Sequence, residues 1–175
     1  MIKYIFLSII PFIYGYELLQ HYIPTSFTKE FYVDNSLKDC SNEVADYINE
    51  FNIHRVIISS STGSTIPVLQ NNINTISVSY ANDYNLGWTK LYGSNETDII
   101  INHNLLKTKN TLHNVILHEV IHSLGLNHTT DYGVQNYTIF LDSDNNIIED
   151  RRKIYLSIDD VKGLRYIKQN LKCLK

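Results

Sequence analysis

The 175-residue chain has only two cysteines, Cys40 and Cys173, and one methionine, Met1. A zinc site with four cysteine ligands and a dense disulfide framework are therefore excluded. Basic residues do not predominate: 15 lysines and arginines stand against 18 acidic residues, a formal net charge of −3. No long basic run is present to match a phosphate backbone, so we expect no nucleic-acid partner. The chain must instead be stabilised mainly by an apolar core.

Long apolar runs are also missing, apart from one at the N-terminus. Lys3 precedes the apolar stretch 4–14, which is too short to span a bilayer and is typical of a secretory signal. We expect residues 1–15 to be a signal peptide and residues 16–175 to be a single domain. Ile13 is not the small residue usual before a cleavage site, so an uncleaved anchor is the alternative. The prediction is a secreted, extracellular monomer without membrane contact after cleavage.

The most informative segment is 118–128, HEVIHSLGLNH. His118 and His122 are four residues apart, so on an α-helix they lie on one face, one turn apart. Gly125 allows a backbone with positive φ that ends the helix and returns the chain with His128 as a third ligand. This spacing predicts a catalytic zinc site, because three protein ligands leave the fourth position open.

Glu119 follows the first of these histidines and points away from the ligand face, near a water at the open position. That is the place of a general base, which takes a proton from the attacking water and passes it to the leaving amine. The predicted reaction is peptide-bond hydrolysis without a covalent intermediate. The remaining histidines lack metal-ligand spacing and are interpreted as ordinary surface or hydrogen-bonded residues: His21, His54, His103 and His113.

At these residues the chain resembles the metzincin metallopeptidases, whose pattern is the zinc helix, the glycine turn and the third histidine. Thr129 follows the third histidine, as serine or threonine does in the matrixins, the matrix-metalloproteinase group. Segment 156–165, LSIDDVKGLR, is similar to the start of the matrixin C-terminal helix, whose aspartates tether it beneath the active site. The resemblance implies a secreted zinc endopeptidase with one catalytic Zn²⁺ on the three histidines.

The methionine turn that metzincins place beneath the zinc is a departure. Gln135 stands in the methionine's position within segment 134–137. Methionine there contributes packing rather than a bond to the metal, so we expect an effect on rate and stability more than on metal binding. Tyr137 stands where astacins and serralysins carry a tyrosine that approaches the zinc. An ordinary half-buried, hydrogen-bonded tyrosine is the alternative.

Cys40 and Cys173 form an even pair, which in a secreted chain predicts one disulfide joining the first helix to the last. The alternative is a thiol that caps the zinc in a latent form. Matrixins do this from a propeptide, but no cysteine precedes residue 30 here.

Segment 142–146, DSDNN, is similar to the opening of a calcium loop, although the later glycine and glutamate of an EF-hand are missing. We interpret it as a turn, with Ca²⁺ kept only as an alternative second cofactor.

Apolar periodicity predicts the scaffold. Apolar residues at intervals of three and four after Ser41 predict a helix capped by Ser41 or Asp39. A second helix is predicted to begin near Asn110 or Thr111. The apolar stripe of that second helix would be Leu112, Val115, Ile116, Val120 and Leu124. Alternating or β-branched runs predict strands at 31–33, 55–59, 73–80 and 98–102, with an edge at 86–89.

This order of elements predicts an α/β (α+β) fold with a mixed, mostly parallel twisted sheet, an active-site helix and a C-terminal helix, as in a metzincin-like zincin catalytic domain. In that family the edge strand above the cleft binds an extended protein or peptide substrate by main-chain hydrogen bonds. Residues 86–92 are the candidates for this strand. An ordinary edge or loop is the alternative.

Two other functions are kept as alternatives. Zinc-dependent endoribonucleases of the bacterial rRNA-maturation type have histidines at the same intervals. They carry glycine where this chain has Glu119, and they are cytoplasmic proteins without a signal. A catalytically weak or inactive metzincin-like decoy would explain the missing methionine, but the complete ligand set and base oppose it.

Overall fold

A computed structural model describes residues 18–19, 24–60, 72–80, 86–92, 96–102, 108–128, 134, 140–141, 147–148 and 154–173. Several predictions from the sequence lie outside these residues: the signal peptide, the calcium-like segment, and the roles of Thr129, Gln135 and Tyr137. His21, His103 and the side chain of Cys173 are also outside them. The disulfide therefore stays a prediction, and of its two partners only Cys40 is described, as a buried residue.

Five strands form one sheet in the described part of the chain: β1 (Thr28–Val33), β2 (Arg55–Ser60), β3 (Asn74–Ser79), β4 (Gly87–Tyr92) and β5 (Glu96–Asn102). The strand order is β2-β1-β3-β5-β4. All neighbours are parallel except β4, which runs antiparallel to β5. The predicted α/β fold with a mixed, mostly parallel sheet is confirmed, and the predicted edge at 86–89 is indeed the start of an edge strand. Two short strands, β6 (Phe140–Leu141) and β7 (Ile147–Ile148), pair separately.

Strand β5 is buried at every one of its residues. It lies between β3 and the edge strand β4, so neighbouring strands cover both of its sides and helices pack against the sheet. The isoleucine run at 99–101 fits this burial, and the polar residues beside it are buried as well, with the Thr75 hydroxyl 2.6 Å from Oδ1 of Asp98. The burial of β5 anchors the edge strand beside it.

Three helices complete the described fold: α1 (Lys38–Glu50), α2 (Lys109–Ser123) and α3 (Ile158–Cys173). None of them is long and apolar enough to cross a membrane. The predicted caps of α1 are wrong. A 3₁₀ turn at Asn35–Leu37 precedes this helix, and the Asp34 carboxylate accepts from the Ser36 amide at its start. The chain is therefore already helical when it reaches Asp39 and Ser41.

Helix α2 begins one residue before the predicted start, and the Thr108 hydroxyl caps it by accepting from the Thr111 amide. The predicted apolar stripe is wrong, because more of the helix is buried than one face. Every residue from His113 to Ser123 is buried, because α1, β4 and β5 all contact this helix. A buried polar side chain needs a hydrogen-bond partner, and those of His118, Glu119 and His122 have theirs in the candidate site.

Candidate metal centre

Three histidine rings converge at the C-terminal end of α2. The Nε2 atoms of His118 and His122 are 3.0 Å apart, and those of His118 and His128 are 3.1 Å apart. The third side of the triangle, between His122 and His128, is 3.2 Å. The first two rings are buried on the helix, while His128 is exposed and approaches from the loop that follows. The structure thus brings together the three residues that the sequence analysis named.

Backbone carbonyls fix the tautomers of the two helical rings. Nδ1 of His118 lies 2.8 Å from the carbonyl oxygen of Val134, and Nδ1 of His122 lies 2.7 Å from that of Leu126. A carbonyl only accepts, so each Nδ1 must carry the proton and each Nε2 keeps a lone pair. Burial lowers the pKa of His118 to about 4 and that of His122, with help from neighbouring His118, to about 3. Both rings are therefore neutral donors of electron pairs at neutral pH.

The spacing of these nitrogens fits a tetrahedral metal ion. A zinc ion bound at about 2.0–2.1 Å to each nitrogen separates the nitrogens by roughly 3.3–3.4 Å. The observed triangle is within a few tenths of an ångström of that value. Lone pairs that face one another at this distance repel unless a cation lies among them. The three histidines can accordingly hold a metal ion, and imidazole ligands suit zinc among several transition metals.

Gly125 makes the turn that delivers the third histidine. Its φ is +104°, as the sequence analysis predicted, and its amide donates to the His122 carbonyl at the end of α2. The turn is held from outside, since the Leu19 amide donates to the Gly125 carbonyl and Leu18 forms an antiparallel bridge with Leu126. The third ligand therefore depends on backbone geometry that glycine adopts readily.

We expect Gly125→Ala to destabilise the fold by roughly 1–3 kcal/mol and to weaken zinc binding, because an L residue is strained at this φ. The added Cβ would also lie 3.1 Å from Cδ1 of Ile167 and 3.4 Å from Cδ of Pro24. Thermal unfolding with and without zinc would measure both effects. Gly163→Ala, a substitution of the same kind within α3, is the matched control and should leave the zinc affinity unchanged. Equal zinc affinities for Gly125→Ala and the wild type would contradict this role.

Glu119 is buried beside the histidines, and its carboxylate is held by the edge strand. The Thr89 hydroxyl lies 2.6 Å from Oε2 of Glu119 and 3.0 Å from its main-chain oxygen. Burial raises the pKa of Glu119 to about 7, while the hydrogen bond from Thr89 acts in the opposite direction. A divalent cation nearby would favour the ionised form. The side chain is thus suited to accepting and returning a proton near neutral pH.

A cleft of about 410 Å³ opens in front of the histidines and Glu119. Strand β4 borders it through Trp88, Thr89 and Leu91, and Leu19 and Asn127 complete the wall. The cleft therefore combines an apolar rim, a candidate metal centre and a carboxyl group.

Asp160 connects the C-terminal helix to this centre. Its Oδ2 accepts from the Ser157 amide at 2.8 Å and from the Val134 amide at 3.1 Å, while the Ser157 hydroxyl accepts from the Asp160 amide. The first and last of these bonds form a reciprocal cap at the start of α3. Because the Val134 carbonyl accepts from His118, Asp160 supports a metal-site ring through one intervening residue.

Sequence reasoning missed the partners that orient the site. Thr89 lies thirty residues before Glu119, and the two carbonyl acceptors are backbone atoms, which no side-chain pattern reveals. His54 and His113 are buried rather than on the surface, and they lie outside the group of described residues that could hold a metal. The prediction of ordinary roles for them is compatible with this placement.

Comparison with known proteins supports the fold more than the chemistry. No protein-family model and no curated protein matches the sequence. A chain in the GM1-bound structure of the ECX AB5 holotoxin matches with a TM-score of 0.57 at 16% identity, covering 88% of this chain and 87% of that one. Archaemetzincin from Archaeoglobus fulgidus, complexed with malonate, matches with a TM-score of 0.43 at 18% identity, covering 77% of this chain and 97% of that one. The first likeness concerns the fold alone, and the second is below the level at which a shared fold is established.

Proposed function

We propose that this protein is a secreted, monomeric zinc endopeptidase of the metzincin type, most similar to the matrixins, with residues 16–175 as its catalytic domain. The observation that carries the proposal is the convergence of three histidine nitrogens in one cleft with a buried carboxyl group. The orientation of both helical rings by backbone carbonyls supports it, because a metal site needs such outer partners. The zinc helix, glycine turn and third histidine of the sequence agree with it.

In this mechanism His118, His122 and His128 hold the zinc ion. When bound, zinc acidifies a water molecule and polarises the carbonyl of the scissile peptide. Glu119 accepts the proton of the attacking water on its carboxylate and returns it to the nitrogen of the leaving amine. The oxygen of the water forms a new bond to the carbonyl carbon, and the peptide C–N bond then breaks. One water is consumed, and no covalent enzyme intermediate forms.

The proposed partner is a protein or peptide substrate bound in an extended conformation along β4. This strand is the last one in the sheet order and runs along the cleft, so its outer edge can pair with another strand. Trp88 and Leu91 provide apolar contacts beside the centre. Nothing in this arrangement requires a nucleic-acid or membrane partner.

The proposal is tested by incubating the zinc-loaded protein with denatured, fluorescently labelled casein. We expect cleavage that 1,10-phenanthroline abolishes and that added zinc restores. Zinc bound at one ion per chain without any cleavage would favour the inactive binding protein, which the glutamine at position 135 motivates. Zinc-dependent cleavage of RNA instead of casein would favour the endoribonuclease.

A further inference from the structure

We infer that Thr89 is a positioning residue whose hydroxyl holds the carboxylate of Glu119 in its working orientation. The inference rests on the proposed function and deepens it, since it adds a residue from the edge strand to a site predicted from the helix alone. Thr89 acts through Glu119 rather than on substrate.

The geometry joins one hydroxyl to two groups of the same residue. Oγ1 of Thr89 lies 2.6 Å from the carboxylate oxygen Oε2 of Glu119 and 3.0 Å from its main-chain oxygen. The main-chain oxygen is fixed in the ladder of α2, so the hydroxyl links the mobile end of the side chain to a rigid part of the helix. This bridge restricts the rotamers of a side chain that has three rotatable bonds.

Glu119 is 6% exposed, so a lost partner cannot simply be replaced by bulk water. A buried polar group that loses its hydrogen-bond partner stays unsatisfied, which costs more than the hydrogen bond itself contributes. Removing the hydroxyl should therefore free or reorient the carboxylate while the metal ligands stay in place.

A second residue on the same face of β4, Gly87, also lies close to Glu119. Gly87 and Thr89 are two residues apart and point to one side of the strand. A Cβ on Gly87 would lie 2.9 Å from Cγ1 of Val115 and 3.3 Å from Cγ of Glu119. The missing side chain lets the strand lie against α2 closely enough for the hydroxyl to reach the carboxylate. Gly87 and Thr89 therefore act together: the first lets β4 approach α2 closely, and the second contacts Glu119 from that position.

The experiment compares Thr89→Val, which replaces the hydroxyl by a methyl group, with Thr89→Ser, which keeps it. Thr28→Val, on the exposed end of β1, is the matched control. We expect Thr89→Val to lower kcat for casein cleavage about tenfold with little change in KM or zinc content. Thr89→Ser should retain at least half of the wild-type rate. If Thr89→Val does not fold, Thr89→Ala removes the hydroxyl without adding bulk.

A second readout does not depend on turnover. Acetohydroxamate chelates zinc and must share or give up a proton on binding, so its affinity reports the neighbouring carboxylate. We expect Thr89→Val to raise its Kd about tenfold in the zinc-loaded protein. In a Glu119→Ala background the same substitution should have no effect, because the group that it positions is gone.

Equal acetohydroxamate Kd values for Thr89→Val and the wild type would overturn the inference. So would a loss that persists in the Glu119→Ala background, since Thr89 would then have only a structural role. A wild type that binds zinc and acetohydroxamate but cleaves nothing would refute the endopeptidase and leave the Thr89 inference to be decided by the Kd values. A wild type that binds no zinc would overturn both.

Discussion

Glu119→Ala is expected to lower kcat for peptide hydrolysis roughly 10²–10⁴-fold, while the protein retains one zinc ion per chain. The reason is that the side chain carries the proton-transfer step but belongs to none of the three rings that can hold the metal. Its place in the cleft beside those rings makes it the described carboxylate best located for that step.

The measurement is the steady-state rate of casein cleavage together with zinc content by mass spectrometry. Glu50→Ala, which removes an exposed carboxylate at the end of α1, is the matched control and should behave as the wild type. An unchanged rate in the purified Glu119→Ala protein would refute its role as the base. Loss of zinc together with activity would show instead that the carboxylate is needed for the metal site itself.

His122→Ala is expected to lower the affinity for zinc by at least about a hundredfold and to remove activity in step with the metal. Loss of an outer partner of a ligand already costs about 10–100-fold in metal affinity or activity, and loss of the ligand itself should cost more. Each of the three Nε2 atoms lies 3.0–3.2 Å from the other two, so the two nitrogens that remain without His122 no longer enclose an ion.

Competition against a fluorescent zinc chelator would measure this affinity. His113→Ala is the matched control, because His113 is a buried histidine of the same helix outside the metal cluster. It is expected to keep one zinc ion per folded chain even if the fold is less stable. Equal zinc affinities for His122→Ala and the wild type would show that the metal, if bound, lies elsewhere.

Local sequence patterns were sufficient for the elements that bear the ligands. His118 and His122 are four residues apart on a helix, and helix geometry places residues at that spacing on one face. A glycine directly after the helix end predicts the positive φ found at Gly125. Strand positions were predicted to within three residues from alternation and β-branched runs. These features depend on a few consecutive residues, so a short stretch of chain contains all the information needed.

One error was local, and the other arose where a distant part of the fold decides. Asp34 starts a turn ahead of α1, which moved the cap away from Asp39 and Ser41. An apolar stripe was expected on one face of α2, but the helix is buried at every residue from 113 to 123. The reason is that a second helix and the edge of the sheet cover its other sides. A periodic pattern indicates one buried face, but it cannot show how many neighbours a helix will have.

The sequence by itself determined the zinc-type ligand spacing, the candidate base and the α/β class of the fold. Only the tertiary structure decided that β4 is the strand beside Glu119, that Thr89 reaches its carboxylate, and that the Val134 carbonyl orients the His118 ring. The physical reason is the range of the interactions. Helix and turn geometry arises within a few bonds along the chain, whereas these hydrogen bonds join atoms that only the packing of the sheet, helices and loops brings together.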